Sequence, residues 1–129
     1  MPTSFPIYIV DDQESVRMLL ASICDSQDWA YTTFESGSAF LEASEKLAGG
    51  CVILDMRMPG LRGITVQETL KQLGRPFVVI AISGHGDVDM AVESMKLGAV
   101  DFIEKPFPVD TIVAAIKQAF ARLARTLQV

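Results

Sequence analysis

Five polar side chains stand where apolar runs of this sequence end. Asp11 and Asp12 follow the run 7–10, Asp55 closes the run 51–54, Ser83 follows 77–82, and Lys105 comes shortly after 100–103. Three carboxylates brought together repel one another and lose solvation, which is costly unless a cation is shared among them. A hard divalent ion resolves that conflict, and magnesium, which prefers oxygen ligands and keeps several waters, suits a carboxylate set. Zinc is a poor rival. His85 is the only histidine, and Cys24 and Cys51 lie far apart with no Cys-x-x-Cys spacing, so they read as buried, reduced, small apolar residues.

Whether these groups meet depends on the elements that carry them. The runs 7–10, 51–54 and 77–82 are unbroken and apolar, as strands covered on both faces are. Residues 29–34, aromatic and β-branched, make a second strand in chain order, and 100–103 make a fifth. Between them the apolar spacing turns helical. Val16, Leu19, Leu20 and Ile23 place a helix over 14–27. Ser36 caps one carrying Phe40, Leu41 and Leu47, which Gly49-Gly50 breaks. After the turn Met58-Pro59-Gly60, Ile64, Val66, Leu70 and Leu73 mark a helix between Gly63 and Gly74. Asp87 is placed to cap a helix through Ala91, Met95 and Leu97 that ends at Gly98, and a last helix covers 108–127.

Strands alternating with helices predict an α/β fold: a five-stranded parallel sheet with helices on both faces, using all 129 residues as one domain. Residues 122–129 read as the start of a connection to an output domain. In such sheets ligands sit beyond the carboxyl ends of the strands, near the point where strand order reverses. Asp11, Asp12, Asp55, Ser83 and Lys105 all fall on that rim.

Composition narrows the class. A net charge of −5 offers no footprint for nucleic acid or an anionic membrane, both of which attract basic surfaces. The longest apolar runs have strand length, far short of the ~20 residues that cross a bilayer, and the N-terminus has no basic segment before an apolar signal core. A cytoplasmic protein is expected, and any DNA contact would need another domain.

Taken in order, Asp11-Asp12, Asp55-Met56-Arg57-Met58-Pro59-Gly60, Ser83-Gly84 and Lys105-Pro106-Phe107 resemble the receiver domains of two-component response regulators, the CheY-like family. The stretch from Gly84-His85-Gly86-Asp87 to Phe107 looks most like the FixJ-type transcriptional regulators. The resemblance covers essentially the whole chain. It implies a doubly wound sheet of order 2-1-3-4-5 and phosphorylation of Asp55 by a sensor histidine kinase. Mg²⁺ is implied at Asp11, Asp12, Asp55 and the backbone carbonyl of Arg57, with Lys105 pairing to the phosphoryl group. It further implies a switch in which Ser83 turns to the phosphoryl oxygens and Phe102 rotates into the vacated space, a cis bond between Lys105 and Pro106, and control of a homodimer or a C-terminal DNA-binding domain in transcription regulation. Arg57 and His85, two residues beyond Asp55 and Ser83, would tune dephosphorylation. Such a domain is a signalling switch that catalyses only its own phosphorylation and dephosphorylation.

Blander readings exist for each residue alone: Asp11-Asp12 as a helix cap, Asp55 as a turn former, Lys105 as a solvated charge, Phe102 as core. An aspartate-based phosphatase or dehalogenase would carry its nucleophile after the first strand in an Asp-x-Asp-like pattern and need a cap domain. A flavodoxin-like carrier would need a Ser/Thr/Gly-rich loop after strand one. Neither pattern is present.

Overall fold

A computed structural model describes residues 4–84 and 86–127. Strands and helices alternate along it: β1 (Ile7–Val10), α1 (Glu14–Ser26), β2 (Tyr31–Phe34), α2 (Gly37–Ser44), β3 (Gly50–Asp55), α3 (Gly63–Leu73), β4 (Phe77–Ser83), α4 (Val88–Lys96), β5 (Asp101–Glu104) and α5 (Val109–Leu127). The strands pair in parallel in the order β2-β1-β3-β4-β5, the order the resemblance implied. From β1 the chain first builds one side of the sheet with β2 and then returns to the other with β3. The reversal leaves a crevice beyond the carboxyl ends of β1 and β3.

Period-two alternation of side chains divides the core into two layers. Ile7, Ile9, Ile53, Ile80, Ile82 and Ile103 face Leu20 and Ile23 of α1 and Ile112, Ile116 and Leu123 of α5. On the opposite face Tyr8, Val10, Val52, Leu54, Val79 and Ala81 meet Phe40 of α2 and Ile64, Val66 and Leu70 of α3. Both faces of β1 and β3 are therefore buried along their whole length, which is why their sequences are apolar without alternation. β2, at the edge, is largely exposed.

Local details depart from the periodicity reading in physically legible ways. Trp29 lies before β2 rather than in it. Asp28 adopts a left-handed backbone (φ 58°), and the Trp29 ring stands edge-on to Phe120 of α5 at 5.2 Å, so its apolar surface is used by the core instead of the sheet. Leu47 lies beyond α2, which stops at Ser44, yet it still packs on the second layer. Gly50 begins β3 rather than serving only as a breaker. A Cβ there would lie 2.2 Å from the Pro6 carbonyl oxygen, so only glycine lets the chain pass. Val100 precedes β5, and the last helix begins at Val109. Ser36 caps α2 as expected, accepting from Ala39 N–H at 3.1 Å. Cys24 and Cys51 are buried and free. Burial, and then Asp25, raise the Cys24 thiol to about 11, and burial pushes the Cys51 thiol up as well. Among the described residues no helix is long and apolar enough to cross a membrane.

α4 is attached differently from the other helices. Ser94 is its only buried residue, while Val88, Val92 and Met95 are exposed. Ser94 Oγ donates to Gln67 Oε1 at 2.8 Å, and Gln67 Nε2 donates back to the Ser94 carbonyl at 2.8 Å. This buried reciprocal pair fastens α4 to α3. Ser94→Ala leaves the Gln67 acceptor without a donor and is expected to cost about 1–3 kcal/mol. Ser22→Ala removes an exposed hydroxyl that bonds its own helix at Leu19 and should cost no more than about 0.5 kcal/mol. Urea denaturation of the two variants checks the difference.

Candidate functional site

The rim residues do converge. Asp11, directly after β1, is fully buried, Asp55 at the end of β3 is nearly so, and Asp12 is exposed. One carboxylate oxygen from each lies within 4.8 Å of the others. Backbone contacts set this geometry. Asp11 Oδ1 accepts from Gln13 N–H at 2.9 Å and Asp55 Oδ1 from Arg57 N–H at 3.0 Å, so each acid closes a small turn that aims its other oxygen inward. Met56 N–H donates to the Ile82 carbonyl at 2.9 Å, and Lys105 N–H to the Ser83 carbonyl at 2.7 Å. These bonds draw the loops after β3 and β5 to the end of β4. The Lys105-Pro106 bond is cis.

Lys105 reaches across the crevice. Its Nζ lies 3.0 Å from Asp11 Oδ2 and 3.6 Å from Asp55 Oδ2, and donates to Gln13 Oε1 at 3.3 Å. Despite that proximity, Asp11 Oδ2 accepts no well-directed hydrogen bond. The contact with Lys105 is one of charge only, and a buried anionic oxygen is left with unused lone pairs. An all-oxygen set containing such an atom fits a hard cation.

The electrostatics agree. Burial is the main cause that pushes the Asp55 carboxyl up to about 6, with the neighbouring charge of Asp11 and a hydrogen bond with Asp12 adding to it; the Arg57 N–H and Lys105 oppose the rise. Without a cation, then, the acid at the centre of the site resists ionisation.

Ser83 is buried at the end of β4, but its hydroxyl does not face an open crevice: it donates to Asp87 Oδ2. Arg57 Nε donates to both oxygens of the same carboxylate at 2.9 Å, and Arg57 Nη2 to one of them. These donors, Arg57 first and Ser83 second, hold the Asp87 carboxyl down at about 2. Asp87 occupies the cap position of α4 yet makes no side-chain capping bond. The cap expected there is corrected by this geometry, because two strong donors outcompete the helix's own N–H groups. The position itself carries no local signal for such partners, nor does Gln13 for its contact with Lys105. Phe102, on β5, is half-buried against the second core layer. His85 lies outside the described residues.

The raised Asp55 carboxyl has a measurable consequence. An acid whose folded-state value lies above its unfolded one contributes stability at low pH that is lost as pH rises through about 6. In EDTA, the urea midpoint is expected to climb as pH falls from about 7 to about 5. Asp55→Asn should flatten that slope and be the more stable protein at neutral pH. An equal slope in both proteins would assign the titration to another group.

The whole of this geometry lies within a recognisable sequence family. Residues 7–117 match the response regulator receiver domain. The chain is 44% identical over 124 residues to the transcriptional regulatory protein FixJ of Azorhizobium caulinodans, covering 96% of this chain and 59% of that protein. It is 46% identical over 113 residues to the response regulator protein TodT of Pseudomonas putida, covering 88% and 50%. Among solved structures, the crystal structure of FixJ-N superposes with a TM-score of 0.87 at 41% identity, covering 92% of this chain and 95% of that one. The response regulator StyR gives 0.89 at 37%, covering 98% and 64%. The chain thus spans about half to three fifths of the length of the curated relatives it matches. Identity at this level, over nearly all of the chain and with the same fold, means that it belongs to the response regulator receiver family and is a receiver domain similar to those of FixJ, named a transcriptional regulatory protein, and TodT, named a response regulator.

Proposed function

We propose that Asp55 is the phosphoacceptor of this receiver and that the phosphoryl donor is a phosphohistidine on a sensor histidine kinase. The observation that carries this reading is the convergence of Lys105 and two further carboxylates on Asp55, an acid held at the mouth of an apolar sheet. A carboxylate is a weak nucleophile, so the protein's work is positioning and charge neutralisation. Arg57 N–H holds Asp55 Oδ1. A carboxylate oxygen attacks phosphorus, the phosphorus–nitrogen bond to the donor histidine breaks, and an acyl phosphate forms on Asp55. Hydrolysis later returns the aspartate and releases inorganic phosphate. Lys105 pairs with a phosphoryl oxygen and Ser83 donates to another. A magnesium ion held by Asp11, Asp12, Asp55 and the backbone carbonyl of Arg57 would supply the remaining neutralisation of charge on the phosphoryl oxygens.

The domain is a switch and acts catalytically only on itself. Arg57 and His85, two residues along the chain from Asp55 and Ser83 respectively, set how readily water reaches the acyl phosphate. When Ser83 moves, Phe102 rotates into the space it leaves, and the surface of α4, β5 and α5 is remodelled. That surface drives a homodimer or releases a C-terminal DNA-binding domain. The relatives' names and greater length support an output of this kind, as transcriptional regulators. The switch works in the cytoplasm, where a kinase's phosphohistidine would meet it.

Incubation with acetyl phosphate and Mg²⁺ is expected to add one phosphoryl mass to the wild type, to add none to Asp55→Asn, and to fail in EDTA. Lys105→Ala should slow labelling by about a hundredfold while the fold survives. Absence of labelling from both acetyl phosphate and a kinase, in folded protein, would overturn the reading. Gel filtration with Mg²⁺ and beryllofluoride should move the wild type toward a dimer. An unchanged monomer over the micromolar range would remove the homodimer from the proposal.

A further inference from the structure

The groups that would meet a phosphoryl oxygen are already engaged. Ser83 has a single O–H to donate, and Asp87 takes it. Arg57, two residues past the acceptor, directs three guanidinium contacts at the same carboxylate. The Asp87 side chain is only 7% exposed, whereas that of Arg57 is 63% exposed, so the carboxylate is drawn in under the loop and the arginine closes over it. Asp87 also stands at the first turn of α4, where its carbonyl accepts from Ala91 N–H at 2.9 Å. Gly86 beside it has φ +90° with open space around it, a backbone that glycine adopts without strain. Beyond this point α4 buries one residue, Ser94. The carboxylate clasp at the start of the helix and the Gln67 pair at its middle are thus its principal polar attachments.

We infer that Asp87 is a positioning residue that competes with the phosphoryl group for Ser83: its carboxylate keeps the serine donor turned away from Asp55, and phosphorylation must take that donor from it, freeing the first turn of α4. The inference rests on the phosphoacceptor reading of Asp55 and adds to it the internal anion that the phosphoryl group displaces. A phosphoryl group brings roughly −1.5 to −2 charge and three strong acceptor oxygens. It outbids a single carboxylate for one hydroxyl, but the Ser83–Asp87 bond opposes the exchange. The same bond therefore sets how much of the phosphorylated conformation exists before any phosphoryl group arrives, since a ligand shifts the balance only by its differential affinity for the two states. Arg57 stabilises the carboxylate in the competing position and belongs to the same device.

The test is a beryllofluoride titration in saturating Mg²⁺, followed by ¹⁹F NMR, on wild type, Asp87→Ala and Asp87→Asn, each also made in a Ser83→Ala background. Asp87→Ala should bind beryllofluoride about tenfold more tightly than wild type. Asp87→Asn, which keeps size and one acceptor but not charge, should shift affinity in the same direction by less, and it carries the test if the alanine variant folds poorly. Both gains should vanish when Ser83 is alanine, an outcome that loss of a merely structural ion pair would not produce. In unliganded Asp87→Ala, amide exchange over residues 88–91 should speed up toward the rate seen in beryllofluoride-loaded wild type. Unchanged or weaker affinity in both variants, or an equal gain with and without Ser83, would overturn the inference while leaving Asp55 as the acceptor. A wild type that binds no beryllofluoride would instead remove the phosphoacceptor reading beneath it.

Discussion

Charge placed at the end of wholly apolar strands is the constraint on which this structure turns. β1 and β3 are buried on both faces, so Asp11 and Asp55, which come at their carboxyl ends, are themselves buried, and burial disfavours ionisation of Asp55. The sheet cannot be built without bringing them together, because its strand order reverses between β2 and β3. Lys105 and a cation-sized demand for positive charge follow from that. The lysine answers it in part, lying near both carboxylates yet leaving Asp11 Oδ2 without a directed hydrogen bond. The unmet remainder is an oxygen set of the kind that fits a hard cation.

A second consequence concerns α4. The helices on the α1 and α5 face, together with α2 and α3, are held by broad apolar contact. α4 makes less apolar contact, through Met90 and the following Leu97 on the second layer, and adds polar fastenings, a buried glutamine–serine pair and a carboxylate clasp at its first turn. Polar fastenings are directional and exchange partners, whereas apolar contact is neither specific nor readily traded. The helix nearest the site is thereby the one whose attachment the proposed phosphoryl oxygens would contest. Its exposed Val88, Val92 and Met95 would move with it.

Much of this was legible in the residues. Strands buried on both faces read as unbroken apolar runs, so the sheet and its helices could be placed to within a few residues. Where the boundaries slipped, a tertiary contact had overruled a local tendency. Trp29 has the character of a strand residue but packs against Phe120, ninety-one positions away, and Leu47 completes the second core layer from beyond its helix. Asp11, Asp12, Asp55, Ser83 and Lys105 were identifiable as a set because strand ends in such a sheet share one rim.

The sequence by itself determined which side chains would gather and at which edge, since period-two burial and the parallel crossover leave no other place for a carboxylate that ends an apolar run. Only the tertiary structure decided who bonds to whom. Asp87 has the residue type and position of a helix cap, and as a cap it would be read from the local chain. Arg57, thirty residues earlier, and Ser83 claim its carboxylate instead, as Gln13 meets Lys105 from ninety-two residues away. Capping competes with any stronger donor that folding brings within reach, and which donors those are depends on distances that no spacing along the chain encodes.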